Sequence, residues 1–197
     1  MFSSATQKLL LAALACVAVT FAFAGTAAAK SGGGGASSGG AAFIPPPPPP
    51  QKATIWRGKA IAPVGAPARV KAVIEWGNQI IGKPYRYGGG HRTFGSRSSR
   101  RQIKLDSGYD CSGSISHALA GGRFLRAALD SSSFAAWGRS GPGEWITVYT
   151  NPGHAYLVVA GLRLDTSLRD DPSRTGPQWS KKLRRSASFT PRHPRGY

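Results

Sequence analysis

The chain has 197 residues, with 26 Lys and Arg against 8 Asp and Glu, a formal net charge of +18, and 2 Cys. A balance this basic calls for a polyanionic partner or surface, with anionic wall polymers, phospholipid headgroups and nucleic acid as the candidates. So few cysteines exclude a disulfide framework, and beyond the N-terminus no apolar stretch approaches membrane-spanning length.

The chain opens "MFSSATQKLLLAALACVAVTFAFAGTAAAK". Lys8 supplies a positive start, Leu9 to Gly25 is apolar, and Ala27-Ala28-Ala29 fits a small-residue cleavage site. Residues 1–29 therefore read as a secretory signal peptide, and the mature protein is expected to be secreted or periplasmic and wall-associated. An uncleaved anchor competes with that reading, since the apolar run is at the lower edge of spanning length. Cys16 lies inside the signal, so cleavage leaves Cys111 as the one thiol.

Residues 30–65 begin with "KSGGGGASSGGAAFIPPPPPP". A Gly/Ser coil followed by a stiff polyproline stretch cannot bury a core, and the segment reads as a disordered tether. Residues 66–197 remain, enough for a single hydrophobic core.

"PARVKAVIEWGNQIIGKPY" predicts an amphipathic helix, with Val70, Val73, Ile74, Gly77, Ile80 and Ile81 on one face. Pro67 suits its start, and Gly82 and Pro84 its end. "YRYGGGH" then requires a sharp turn or a close backbone approach, and the polar, basic residues 92–107 read as a loop. In "YDCSGSISHALAGG" Asp110 stands at an N-cap and Gly121-Gly122 at the stop, which puts Cys111 in the first turn of a second helix. The helix dipole there favours a thiolate, while the charge of Asp110 opposes it. After a further loop, "EWITVYT" and "HAYLVVAGLRLDTS" predict three strands, and the basic "SKKLRRSASFTPRHPRGY" reads as a tail. Helices followed by an antiparallel sheet define an α+β class.

A lone thiol in an exported chain is either a buried apolar residue or a reactive one. A thiolate nucleophile needs a base, and the base an orienting group. Among the four histidines, His193 lies in the tail, His117 falls on a different side of the Cys111 helix, and His91 is possible. His154, at the start of a strand, is better placed. If the hairpin turns at Ala160-Gly161, Asp165 lies diagonally beside His154 on the same sheet face, and Ser167 directly opposite it is a second candidate orienter. A one-residue slip would reverse this.

The ordered series "GKPYRYGGG", "YDCSGSISHAL" and "GHAYLVVAGLRLDTS" resembles the NlpC-type family of papain-like cell-wall cysteine peptidases, over roughly residues 69–167. The resemblance implies a papain-like fold with N-terminal helices packed on a central antiparallel sheet. It also implies Cys111 as nucleophile, His154 as general base and Asp165 as third member. Tyr87 would help the oxyanion or line the cleft, although plain aromatic packing is an alternative, and Asp110 and Ser112 would meet polar groups of the substrate peptide. The family position of Asp165 is often His, and the basic connection 92–104 is longer than usual. The implied activity is hydrolysis of peptidoglycan stem peptides near D-γ-glutamyl-diaminopimelate bonds, by a monomer that needs no metal or organic cofactor. Stacking aromatics are not evident in the basic segments, so no nucleic acid partner is expected. The competing readings are an amidase or acyltransferase using the same residues, and a non-catalytic basic wall-binding module with Cys111 buried.

Overall fold

A computed structural model describes residues 51–91, 105–167 and 176–197. The expected signal peptide, the first part of the tether and the basic connection 92–104 lie outside them. Residues 54–61, expected to belong to the tether, instead form a hairpin of Thr54–Trp56 (β1) and Lys59–Ile61 (β2). Its two turn residues, Arg57 and Gly58, both take positive φ, as a tight hairpin turn matching the strand twist requires. Asn78 stitches the hairpin to the domain: the Ala60 N–H donates to its Oδ1 at 2.8 Å, and its Nδ2 donates to the Ala60 carbonyl at 2.8 Å. The correction has a simple cause, since such a short strand with one buried residue has no readable period.

Ala68–Gln79 form the first helix (α1), starting after Pro67 as expected, with Val70, Val73, Ile74 and Gly77 buried. Cys111–Gly121 form the second (α2). Its cap is Asp110, whose Oδ1 accepts the Gly113 N–H at 2.6 Å. A four-residue turn of helix, Ser131–Phe134 (α3), follows, capped by Asp130. The strands are Arg139–Ser140 (β3), Ile146–Asn151 (β4), His154–Val159 (β5), Leu162–Asp165 (β6), Gln178–Ser180 (β7) and Thr190–His193 (β8). They build one six-stranded antiparallel sheet in the order β3-β8-β4-β5-β6-β7.

Helix α2 packs between α1 and the middle of the sheet, on β5 and β6. The shared core joins Val70, Val73, Ile115 and Leu119 from the helices to Val148, Leu157 and Leu164 from the strands. The α+β class is thus the observed one, with the helices against an antiparallel sheet. Among the described residues no helix is long and apolar enough to cross a membrane.

The C-terminal segment is not an appended tail. Strand β8 inserts between β3 and β4, pairing Arg192 with Val148 and Pro191 with Tyr149, and β7 closes the other edge. Basic residues and prolines hide a strand from pattern reading. His193, expected to be solvated in the tail, accepts its place in β8, with Nδ1 2.9 Å from the Gly141 carbonyl.

The glycine runs explain how α2 meets the loop before it. The Asp110 N–H donates to the Gly89 carbonyl at 3.2 Å. A Cβ on Gly113 would overlap that same carbonyl, so no other residue type fits this close approach without a backbone shift.

Candidate active site

The β5–β6 hairpin sets His154 against Asp165. Its turn is Ala160-Gly161, with both φ angles positive, and its register pairs Leu157 with Leu164. Asp165 therefore projects from the His154 side, and His154 Nε2 lies 2.8 Å from Asp165 Oδ1. At the other end of β5, Asn151 fixes the backbone of His154: its Oδ1 accepts the N–H groups of Gly153 at 3.0 Å and His154 at 2.8 Å.

Asp165 is buried, and its two oxygens divide their work. Oδ1 takes His154 and the Ser167 backbone N–H at 2.9 Å, whereas Oδ2 faces Arg184 Nη1 at 3.1 Å and Arg163 Nε at 3.4 Å. Burial works against the charge, but the His154 bond and charge, the Ser167 N–H and Arg163 outweigh it and hold the carboxyl below the usual carboxylate range. Ser167 thus meets Asp165 through its backbone, and the side chain bonded to His154 is that of Asp165.

Cys111 is the first residue of α2 and is half-buried. Its Sγ lies 4.0 Å from Ser131 Oγ, and His154 and the Ala155 N–H are the groups that act on it to lower its pKa. Burial raises the thiol pKa, yet the His154 bond, the Ala155 N–H and the His154 charge bring it below the ordinary value, against a smaller opposing effect of Asp110. With Nε2 turned to Asp165, Nδ1 is the ring nitrogen left for the thiol. For His154 burial opposes protonation, but the bonds to Asp165 and Cys111 and their charges prevail, and its pKa is pushed up to about 9. Both shifts run in the direction that favours a thiolate beside an imidazolium. Phe189 packs its ring edge-on against His154, with centroids 6.4 Å apart.

A cleft of about 390 Å³ opens over Cys111, walled by Tyr85, Tyr87, His91, Asp130, Ser131 and Gly153. A second cavity of about 490 Å³ is lined by Arg163, Arg184 and Phe189, so it adjoins Asp165 rather than the thiol. Tyr87 stands at the cleft rim, 90% exposed. Tyr85 is the tyrosine whose hydroxyl feels the thiolate: burial raises its pKa first, then the charges of Cys111 and Asp110. It occupies the other Tyr of "PYRY", two residues away, and nothing in the spacing separates the two.

Asp110 and Ser112 line the cleft, but their polar groups turn inward. Asp110 accepts the N–H groups of Gly88 and Gly113 and the Ser112 hydroxyl at 3.1 Å, and its two oxygens lie 3.0 and 3.1 Å from His91 Nε2. His117 plays no part in this. It is buried between Trp76 and Tyr109, with ring centroids 5.1 and 5.5 Å away, and burial lowers its pKa to about 4.

No protein-family model matches the chain, and no curated protein does either. Solved structures from Mycobacterium tuberculosis do. The peptidoglycan hydrolase RipB is 26% identical, with a TM-score of 0.43, over 63% of this chain and 64% of RipB. Rv1477, a hypothetical invasion protein, is 22% identical, with a TM-score of 0.42, over 63% of this chain and 61% of its own. RipD, described as a non-catalytic NlpC/p60 domain protein adapted to peptidoglycan binding, is 19% identical, with a TM-score of 0.44, over 65% of this chain and 98% of RipD. The chain spans less than two thirds of RipB and of Rv1477.

Proposed function

We propose that the chain is an exported NlpC-type cysteine peptidase that hydrolyses amide bonds in peptidoglycan stem peptides, of the D-γ-glutamyl-diaminopimelate type. The reaction type is supported by Cys111 at the N-terminus of α2 on the cleft, by the influence of His154 on its thiol, and by the bond of His154 to Asp165 across two sheet strands. The substrate class rests on the resemblance of the motifs. The high positive charge fits retention on an anionic wall.

In this reading the Cys111 thiolate attacks the amide carbonyl carbon. The oxyanion that forms meets the N-terminus of α2, where first-turn N–H groups have no intrahelical acceptor. His154 gives its Nδ1 proton to the departing amine, and the C–N bond breaks to leave a thioester on Cys111. Neutral His154 then takes a proton from water, whose oxygen attacks the thioester and releases the acid, and the imidazolium–thiolate pair is restored. Asp165 stays ionised throughout, orienting the ring and stabilising its cation.

The test is incubation of the purified protein with muropeptides, followed by mass spectrometry of the fragments. Cleavage at one amide, abolished by Cys111→Ala, is the expected result. Fragments that persist in Cys111→Ala refute the mechanism, and binding without fragments in the wild type favours a binding-only role.

A further inference from the structure

The cleft is lined by a histidine that this mechanism does not use. His91, half-buried, lies on the cleft wall with Cys111 and places Nε2 between the two oxygens of Asp110, 3.1 Å from Ser112 Oγ. Asp110 has two tasks that conflict. As the N-cap its carboxylate is held close to the first turn of α2, yet that puts a negative charge one residue from the sulfur of Cys111.

We propose that His91 is a positioning residue whose imidazolium cancels the charge of Asp110 and so preserves the thiolate of Cys111, making the site depend on two imidazoles rather than one. The inference rests on Cys111 being the nucleophile. Geometry supports it in three ways. The contact between His91 and Asp110 is an ion pair at 3.0 Å when the ring is charged. The remaining polar partners of Asp110, the N–H groups of Gly88 and Gly113 and the Ser112 hydroxyl, are neutral donors that leave its full charge in place. The ring also faces the same cleft as the sulfur, where a positive charge acts on it directly.

The charged and titratable groups around His91 are Asp110 and Cys111 at the start of α2, Asp130 ahead of α3, and Tyr85, Arg86, Tyr87 and Asp106 on its own side of the cleft. The bond to Asp110 raises the His91 pKa most; burial opposes it, and the charges of Asp110, Cys111 and Asp130 add to it. By reciprocity, a charged His91 lowers the pKa of the thiol. This interaction explains how the Asp-Cys pair tolerates its own aspartate.

The experiment follows alkylation of Cys111 by iodoacetamide from pH 4.5 to 9 in the full chain, quantified by peptide mapping, so that no peptidase activity is needed. The variants are His91→Gln, which keeps a donor for Asp110 and loses the charge; His91→Lys, which restores a charge; and His91→Gln with Asp110→Asn, which removes both. In His91→Gln the thiol titration moves up and the rate at pH 6 falls roughly threefold or more, a change of half a pKa unit or greater. The Lys variant and the double variant both recover it. A His91→Gln profile that superimposes on a low-pKa wild-type profile, in a protein with unchanged circular dichroism, overturns the proposal and leaves the nucleophile intact. A wild-type Cys111 that titrates like an ordinary thiol overturns both.

Discussion

Replacing Asp165 by Asn keeps the size of the side chain and removes one buried charge. The His154 pKa of about 9, against its ordinary 6.5, corresponds to roughly 3 kcal/mol in favour of the imidazolium. Bonds and charges of both Asp165 and Cys111 contribute, and at each step Asp165 contributes more. Without that bond and charge the His154 pKa falls back from about 9 by roughly one unit or more, so the imidazolium is lost at a lower pH. The surroundings make the loss larger. Arg184 and Arg163, now matched to Oδ2, would face a neutral amide beside the ring, and the amide cannot offer an acceptor to Nε2–H and another to both guanidinium groups. The assay is Cys111 alkylation against pH, with kcat/KM on a muropeptide as the second readout. We expect the basic limb of the kcat/KM profile, which follows loss of the His154 proton, to move down from about 9 by roughly one unit or more, and Arg184→Gln in the same background to recover part of the shift. An Asp165→Asn profile identical to wild type, in a folded protein, would refute the electrostatic account of the triad.

Three further outcomes follow from single residues. Because the folded pKa of His154 is raised, its stabilising contribution is complete below about 6.5 and is lost as pH rises to about 9; the denaturation midpoint should decline across that window, and the peptidase rate as pH passes through about 9. His117 has the opposite sign: its folded value of about 4 lies below the unfolded one, so stability falls as pH drops from 6.5 towards 4, by up to roughly 3 kcal/mol. Urea titrations at pH 7 and 4.5 measure this, and a His117→Phe variant should lose that part of the slope. Gly113→Ala drives a methyl into the Gly89 carbonyl and should cost about 1–3 kcal/mol, read as a lower Tm; an unchanged Tm would mean that the two backbones are not in contact.

Elements with a clear period or cap were legible in the sequence. The face of α1, the Asp110 cap of α2 and the Ala160-Gly161 turn all stand where local chemistry puts them, and the turn register is what brings His154 to Asp165. Strands β1, β2 and β8 were not legible. Each is three or four residues long, and β8 carries Pro191 and Arg192 in the interior of a sheet, against ordinary propensity. The contributions of Arg184 and Phe189 were hidden with β8, since a basic, proline-containing segment reads as solvated. His91 was legible only as a possibility: its bond to Asp110 joins loop residues whose approach depends on stacked glycines, and spacing carries no record of such a meeting.

The insertion of β8 has a consequence for how the site matures. Strands β4, β5 and β6 are joined by tight turns, so they can zip together early and bring imidazole and carboxylate side by side. Phe189 and Arg184 join them from the segment whose strand must thread into the sheet beside β4, a distant partner that is slow to find. During refolding, pulse alkylation of Cys111 should therefore lag behind amide protection of the β5–β6 hairpin. The newly made domain would thus bring His154 and Asp165 together before Phe189 and Arg184 complete their surroundings.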